Sequence, residues 1–485
     1  MKTRFPVLAA LLTAGLSGCA SVSEYRPPAA EVPAAFSMTS QSSKPGELAS
    51  WWRGFRDPVL DGLIARALAG DLDVKRAAVR IEQARQEARI AGAANQPTLS
   101  ADTQASITRL SRNSSLGALA AKAGQTGGGL GSAGLPGDTI KTFQLGFDAG
   151  WELDLFGGVR REVEAAEARV EAAVWSRRDA ELMLAAEVTR NYLAYRAIQR
   201  RRLILDEKLR VEADALDYRR VRLRNGLATV DEVSRAEADL AADTASLRGL
   251  IAQRDAQGHA LAVLVGQPPL ALDAELAALP PGDAAETEIP TGLPSELLRR
   301  RPDIRLAERQ LAAATAEVGV ARADLYPRIS LTGAASLVSS SLSNLIESDS
   351  GQPSAGAALS APLLDGGRRR ATVKLRQAQA DEAALAYRAT TLSALREVED
   401  ALTRIQADHD RRVQLTAAET AAREALAAVR ARRQAGLANE IEALQAETVV
   451  LVASDAVIQL RAETNQDLVA LAKALGGGWD EKEAS

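Results

Sequence analysis

The feature that most constrains this chain is that it is written twice. Asp71–Ser106 reappears, degenerate but in register, at Arg301–Ser336, an offset of 230 positions. Asp73, Ala77, Ala84, Glu87, Ala91, Pro97, Ser100, Ala105 and Ser106 fall on Asp303, Ala307, Ala314, Glu317, Ala321, Pro327, Ser330, Ala335 and Ser336. Further on the match runs at an offset of about 210 and places Gly226-Leu227-Ala228 on Gly436-Leu437-Ala438. The offset shrinks because the first copy holds extra residues, and the Gly-rich run Ser115–Gly137 is the obvious insertion. A unit of over 200 residues is too long for a solenoid repeat. The chain must therefore build something pseudo-symmetric from two long copies.

Each copy reads as helix, strand pair, very long helix, helix. Gly157-Gly158 closes one segment, and neither Pro nor Gly follows until Asn225-Gly226. Val159–Arg224 is thus a candidate helix of about 66 residues, roughly 100 Å long at 1.5 Å per residue. Its counterpart Arg368–Gln434 lies between Gly366-Gly367 and Gly436. Such lengths without breakers signal a coiled coil. Val159, Val163, Ala166, Val170 and Ala173 step by four and three, as do Leu395, Val398, Leu402 and Ile405. A shorter helix returns after each turn, with Val230, Val233, Glu237, Leu240, Thr244, Leu247 and Ile251 in the first copy and Ile441, Leu444, Thr448 and Leu451 in the second keeping heptad spacing with polar interruptions. The arms of each pair should pack antiparallel. The returning helix (about 37 residues) and the opening helix (about 23, at Leu72–Ala94 or Ile304–Asp324) together match one long helix. Stacking them end to end would bury helix termini against each other.

The strands alternate with period two. Leu99, Ala101, Thr103, Ala105 and Ile107 oppose Ser100, Asp102, Gln104, Ser106 and Thr108. Phe143, Leu145, Phe147, Ala149, Trp151, Leu153 and Leu155 oppose Thr142, Gln144, Gly146, Asp148, Gly150, Glu152 and Asp154. The second copy repeats this more weakly through Ile329, Leu331, Ala335 and Leu337, then Ala355, Ala357, Leu359, Ala361 and Leu363. This is the pattern of strands with one apolar and one polar face. It fits a soluble half-buried sheet as well as a membrane wall. If the strands enter a membrane, four cannot close a barrel and an open edge in lipid is not tolerated, so the barrel must be shared between chains.

The N-terminus supplies an address. Met1-Lys2-Thr3-Arg4 is basic and Phe5–Leu16 is apolar but too short for a permanent span, as in a secretory signal. Leu16-Ser17-Gly18-Cys19 follows, and a Cys at the new N-terminus resembles the bacterial lipobox. Cys19 is the only cysteine, which excludes an intrachain disulfide or a cysteine metal cluster. Several acyl chains on Cys19 would anchor the chain stably. Ala20 and Ser21 in place of an aspartate favour the outer membrane, and Tyr25–Pro45 reads as an extended tether. A net charge of −4 argues against nucleic-acid binding, and 4% aromatic content with abundant Ala, Leu, Arg and Glu suits long helices.

Taken together, Cys19, Trp51-Trp52-Arg53-Gly54-Phe55-Arg56-Asp57-Pro58, Trp151-Glu152-Leu153-Asp154-Leu155-Phe156-Gly157, Leu298-Arg299-Arg300-Arg301-Pro302-Asp303-Ile304, Tyr326-Pro327 and Pro362–Arg368 resemble TolC-like outer-membrane efflux proteins, in their lipoprotein (OprM/NodT-type) branch. The resemblance covers nearly all of the mature chain. It implies an α plus membrane β-barrel fold, a homotrimer in which four strands per chain build a 12-stranded barrel above a long periplasmic α-barrel. It also implies an equatorial collar made from Trp51–Ala69, Gly266–Pro294 and the C-terminal tail. The expected organisation is a signal peptide over 1–18, a lipidated tether over 19–45, an equatorial segment over 46–70 and a first repeat over 71–265. A linker over 266–295, a second repeat over 296–475 and a tail over 476–485 complete it. Strands are expected at about 97–112, 139–155, 327–342 and 353–364.

The function so implied is passive export of small molecules, drugs or other toxic compounds, through an outer-membrane exit duct. A periplasmic adaptor and an inner-membrane pump, of the proton-driven resistance-nodulation-division (RND) class, would engage it. The adaptor-contacting tip would be Gly226, Leu227, Ala228 and Thr229 with Gly436, Leu437, Ala438 and Asn439. Arg432, Arg433, Asp231 and Glu440 are candidates for a tip gate closed by salt bridges, although a solvated face explains them equally. A duct for type I protein secretion and a non-conducting scaffold are the alternatives.

No enzyme signature stands out. Gly129-Leu130-Gly131-Ser132-Ala133-Gly134 matches a dinucleotide fingerprint, but it follows no buried strand and Leu135-Pro136-Gly137 comes where a helix should open. Only His259 and His409 could act as imidazole bases; His409 lies mid-helix between Asp408 and Asp410 and reads as a solvated surface, His259 precedes Val265-Gly266-Gln267-Pro268 near a helix end, and no His/carboxylate cluster or nucleophile constellation stands out. No cofactor is expected beyond the lipid on Cys19.

Overall fold

The structure is a computed structural model that describes residues 25, 27, 32–37, 48–109, 111, 113–115, 118, 139–279, 289 and 294–479. The readings placed on the signal peptide, on Cys19 and on Gly129–Gly134 lie outside the described residues. The chain runs α1 (Pro58–Gly70), α2 (Leu72–Ala93), β1 (Thr98–Arg109), β2 (Thr139–Leu153), α3 (Gly158–Arg224) and α4 (Val230–Leu264). After the short helices α5 (Asp273–Leu276) and α6 (Pro294–Arg300) come α7 (Pro302–Ala323), β3 (Arg328–Ser339), β4 (Gly351–Ser360), α8 (Arg368–Gln434) and α9 (Glu440–Ala474). The duplication is thus a duplication of elements. α3 and α8 each have 67 residues, and α4 and α9 each have 35. No described helix is long and apolar enough to cross a membrane.

The described residues form two compact units, one drawn from 84–170 and 311–383 with Tyr25 and Pro27, the other from the described parts of 28–83, 171–310 and 384–485. The first holds an antiparallel sheet in the order β1-β2-β3-β4. β4 starts at Gly351, ahead of the expected 353, and carries Pro353 opposite Ala335. A proline has no N–H, so Pro353 gives the ladder no donor at that position. Below the sheet the helices pack through alanine. Ala168 of α3 lies on Ala312 and Ala313 of α7. Of the expected stripe Val159, Val163, Ala166, Val170 and Ala173, Ala166 is buried and the rest are half-buried, while Ala165 and Ala168 beside it are buried as well. Small side chains win here because they let two backbones approach, and packing contacts accumulate with proximity. Glu317 of α7 adds ion pairs to Arg169 of α3 and to Arg376 of α8, the latter at 2.6 Å.

The second unit contains the main core. Trp51, Trp52, Phe55, Leu60, Leu63 and Ile64 pack with Val188 and Tyr192 of α3, Leu261 of α4, Ile304 of α7, Val398 of α8 and Leu471 of α9. Each fully buried leucine contributes about 1.5–3 kcal/mol relative to exposure. The heptad reading holds for Val398, Leu402, Val233, Ile441 and Leu444, all buried, while Val230 at the start of α4 is exposed. Leu216 of α3 meets Val233 and Ala236 of α4, and Val211 and Ala215 of α3 meet Leu444 of α9. Phe36 is also buried, and the Ser37 N–H donates to Glu399 at 3.0 Å. This part of the supposed tether is therefore fastened to the core.

The expected abutment of helix ends is present in both copies. Gly266, just past α4, has φ 79° and lies so close to Gly70 that a Cβ would stand 2.8 Å from its carbonyl oxygen. Gly476, just past α9, has φ 73°, and its Cβ would stand 2.9 Å from the Arg300 carbonyl. Gly70 and Arg300 are repeat partners, as are Gly266 and Gly476. Short helix thus succeeds short helix at the same joint twice.

Candidate duct wall and hairpin tips

In an antiparallel ladder, directly opposed residues point to the same side of the sheet. The register pairs Ala101 with Phe147, Phe147 with Ala335, Leu145 with Leu337, Trp151 with Leu331, and Leu331 with Ala357. Every apolar position of the alternation that falls within a strand therefore lies on one continuous face, while Leu155, Ala361 and Leu363 lie past the strand ends. The other face carries Ser100 opposite Asp148, Gln104 opposite Gln144, Glu152 opposite Ser330 and Ser336 opposite Gln352. Among the described residues nothing covers either face. Leu99, Ile107 and Leu359 are about 70% exposed, and Phe147 is 57% exposed. A soluble half-buried sheet would hide these side chains, so that reading fails. Among the described residues β1 bonds only to β2 and β4 only to β3, which leaves an edge free on each. Gly146 lets β2 and β3 come together, since a Cβ there would meet the Ser336 Cβ at 2.6 Å. Trp151 is fixed at the sheet's end by its indole N–H, which donates to the Asn95 carbonyl at 3.1 Å, and Phe156 stacks on Tyr326 with centroids 4.8 Å apart.

Both hairpin turns use the same closure. Gly226 and Gly436 have φ 69° and 74°, the left-handed conformation that favours glycine. The Leu227 and Leu437 N–H groups donate to the Arg222 and Arg432 carbonyls at 2.8 Å, and the Gly226 and Gly436 N–H groups donate to Leu223 and Arg433 at 3.0 Å. These are Schellman caps. The Arg222 and Arg432 guanidiniums then reach back to the Leu227 and Leu437 carbonyls at 2.7 and 3.3 Å. The recurrence of these arginines at the repeat offset was the available signal for this role, which sequence reading missed. Asn439 caps α9 through a capping box with Glu442. Thr229 stands at the same position of α4 without capping it, and the Thr229 hydroxyl beside Asp231 holds that carboxyl below the usual carboxylate range. Leu227 and Leu437 are 64% and 71% exposed at the apex.

The four gate candidates do not form one cluster. Arg433 pairs with Glu440, and Arg432 reaches Glu442 at 3.5 Å, both across the α8–α9 turn. Asp231 pairs instead with Arg235 on its own helix at 3.2 Å. One turn further from the apex Arg220–Glu237 (2.8 Å) and Arg430–Glu447 (3.0 Å) bridge the two hairpins equivalently. His409 is exposed and touches Arg412, and His259 lies half-buried on α4. No group of side chains among the described residues could hold a metal ion.

Long antiparallel hairpins and a two-faced sheet are the elements of an outer-membrane channel protein. The comparison with known proteins gives the same class. The family model of outer membrane efflux proteins matches residues 63–267 and 293–477, so the chain belongs to the outer membrane efflux protein family. The pyoverdine export outer membrane protein OpmQ of Pseudomonas aeruginosa is 33% identical over 443 residues, covering 91% of this chain and 90% of OpmQ. Outer membrane protein OprJ of the same species is 32% identical over 498 residues, covering 99% and 97%. The solved outer-membrane channel OprN superposes with a TM-score of 0.81 at 32% identity, covering 94% of this chain and 99% of OprN. The protein is an outer-membrane efflux channel of TolC-like fold that extends into the periplasm, and its family is one of channels rather than enzymes.

Proposed function

We propose that three copies of this chain form the exit duct of a tripartite efflux system and release small molecules passively to the outside. The observation that carries this reading is the sheet, whose apolar face is bare and whose β1 and β4 edges are unpaired among the described residues. Lipid covers the apolar face, water fills the polar side, and β1 of one copy pairs with β4 of the next. Three copies bring 12 strands, above the smallest number that closes in a membrane. A duct has no energy source of its own, so an inner-membrane pump of the RND class drives transport through a periplasmic adaptor. The adaptor meets the apexes at Gly226–Thr229 and Gly436–Asn439, where the exposed leucines offer an apolar contact on a rigid cap. Arg432, Arg433, Asp231 and Glu440 contribute to the closed tip. Cys19 carries the lipid that retains the N-terminus at the outer membrane.

Planar-bilayer recording of the purified protein tests the core of this reading. Discrete trimer-dependent channels are expected, and a reconstituted protein that never conducts overturns it. Arg433→Glu should raise the open fraction by unlocking the second turn. Leu227→Asp with Leu437→Asp should abolish adaptor cross-linking while the channels persist. Labelled palmitate should enter the native protein and not Cys19→Ser.

A further inference from the structure

The charges of the sheet sort by face. On the polar face Asp102 of β1 lies opposite Gly146 of β2, and Asp148 of β2 lies opposite Ser100 of β1. The two carboxylates are therefore diagonal neighbours two rungs apart, and both are exposed. The Ser100 hydroxyl donates to Asp102 at 3.3 Å, a neutral partner that leaves the charge in place. No ion pair reaches either acid among the described residues, in contrast to Glu152 at the foot of the same face, which has Arg328 at 3.7 Å. From Ser330 to Ser336 of β3 and along β4 the face carries no charge, with Ser330, Thr332 and Ser336 opposite Ala358, Gly356 and Gln352. The other two bases of the sheet fall on the apolar face, Lys141 opposite Ile107 and Arg109 two residues further on. They also lie far along it. Arg109, where β1 ends, is seven residues beyond Asp102, about 23 Å at 3.3 Å per residue. The described loop between β3 and β4 adds Glu347 and Asp349 and no base.

We propose that Asp102 and Asp148 make the duct cation-selective, so that cationic and neutral cargo passes the barrel ahead of anions. The proposal rests on the duct reading, in which the polar face lines the lumen. Each copy then brings two carboxylates, and three copies bring six to one belt. Twelve strands about 4.8 Å apart and tilted by about 40° enclose a backbone radius of about 12 Å. The Debye length is about 8 Å at 0.15 M salt, so with the side chains reaching inward the field of the belt fills most of the cross-section. A low-dielectric wall concentrates that field. A ring of acidic side chains then enriches cations in the lumen and depletes anions, acting on everything that passes rather than holding one ion. At 1 M salt the Debye length falls to about 3 Å and the middle of the lumen is screened. A charge at the strand's end, such as Arg109, stands more than about two Debye lengths from the belt at 0.15 M salt.

Reversal potentials across planar bilayers in gradients of KCl, whose two ions have nearly equal mobility, test the belt. In dilute salt, about 0.03 M against about 0.1 M, the unaltered channel should pass K⁺ at least about threefold more readily than Cl⁻, and the preference should shrink when both solutions are raised about tenfold. Asp102→Asn with Asp148→Asn should bring the ratio to about one, each single change should remove part of the preference, and Asp102→Lys with Asp148→Lys should reverse it. Lys141→Gln, on the apolar face, should leave the ratio unchanged. Oligomer size and unit conductance of each variant guard against misfolding. Three results overturn the proposal: an unaltered channel with no cation preference, a preference that survives in a conducting double-asparagine variant, or an equal shift in Lys141→Gln. A channel that conducts without preference leaves the duct reading standing, whereas a protein that never conducts overturns the duct and this proposal with it.

Discussion

Gly436 and Gly476 share a left-handed backbone but not an environment. Nothing lies within 4 Å of a Cβ built on Gly436, whereas one on Gly476 would strike the Arg300 and Arg301 backbone. Gly436→Ala should therefore cost only the conformational term, about 1 kcal/mol. Gly476→Ala should cost more than about 3 kcal/mol, because two helix ends must part. Thermal unfolding of the two variants side by side checks the contrast. A second residue-scale effect lies between α3 and α4, where Lys208 reaches Asp243 at 2.6 Å and Glu212 at 3.5 Å. Burial and then the Asp243 carboxylate push Glu212 up to about 7. The folded chain holds this proton more tightly than the unfolded one, so stability falls as pH rises from the ordinary glutamate value to about 7. Glu212→Gln should flatten that slope and stabilise the protein at pH 8 by on the order of 1 kcal/mol, read from denaturant unfolding at several pH values.

At the scale of elements, the long helices and their turns were legible because the signal is local. An uninterrupted run between glycines needs no partner to be recognised as helix, and a glycine at its end needs only its own φ to cap it. What locks the elements together was not legible. Arg301 is buried, grips Asp303 through two bonds of 3.0 and 2.6 Å, and also reaches Glu397 of α8 at 2.9 Å and the Ala474 carbonyl of α9 at 3.0 Å. In the first copy the same position is Asp71, whose carboxylate accepts the Asp73 and Val74 N–H groups. One site of the repeat thus caps a helix in one copy and ties three helices in the other, and nothing in the local pattern distinguishes them. Arg301→Ala should destabilise by about 3–5 kcal/mol, since it leaves two carboxylates without their buried partner. Unfolding of the purified variant measures it. The tip arginines followed the same logic. Their charge was visible, but only the fold shows that Arg433 and Arg432 pair within their own hairpin while Asp231 turns to Arg235.

For the whole molecule, the duplication supplies two strand pairs and two hairpins but no closed surface. If β1 and β4 of neighbouring copies pair, cysteines placed along the two strands in a Cys19→Ser background will cross-link. One register should give dimers and trimers on denaturing gels, and cross-linking at no register would remove the shared barrel. The sequence by itself determined the repeat, the element order, the alternation of the strands and the turn chemistry, because periodicity and backbone preference act between near neighbours. Only the tertiary structure decided that no described residue covers either sheet face, that alanine rather than valine marks the close helix contact, that Gly266 and Gly476 seat the helix joints, and that Asp102 and Asp148 stand two rungs apart on one sheet face. Those depend on which distant segments share space, and burial and charge are properties of that shared space.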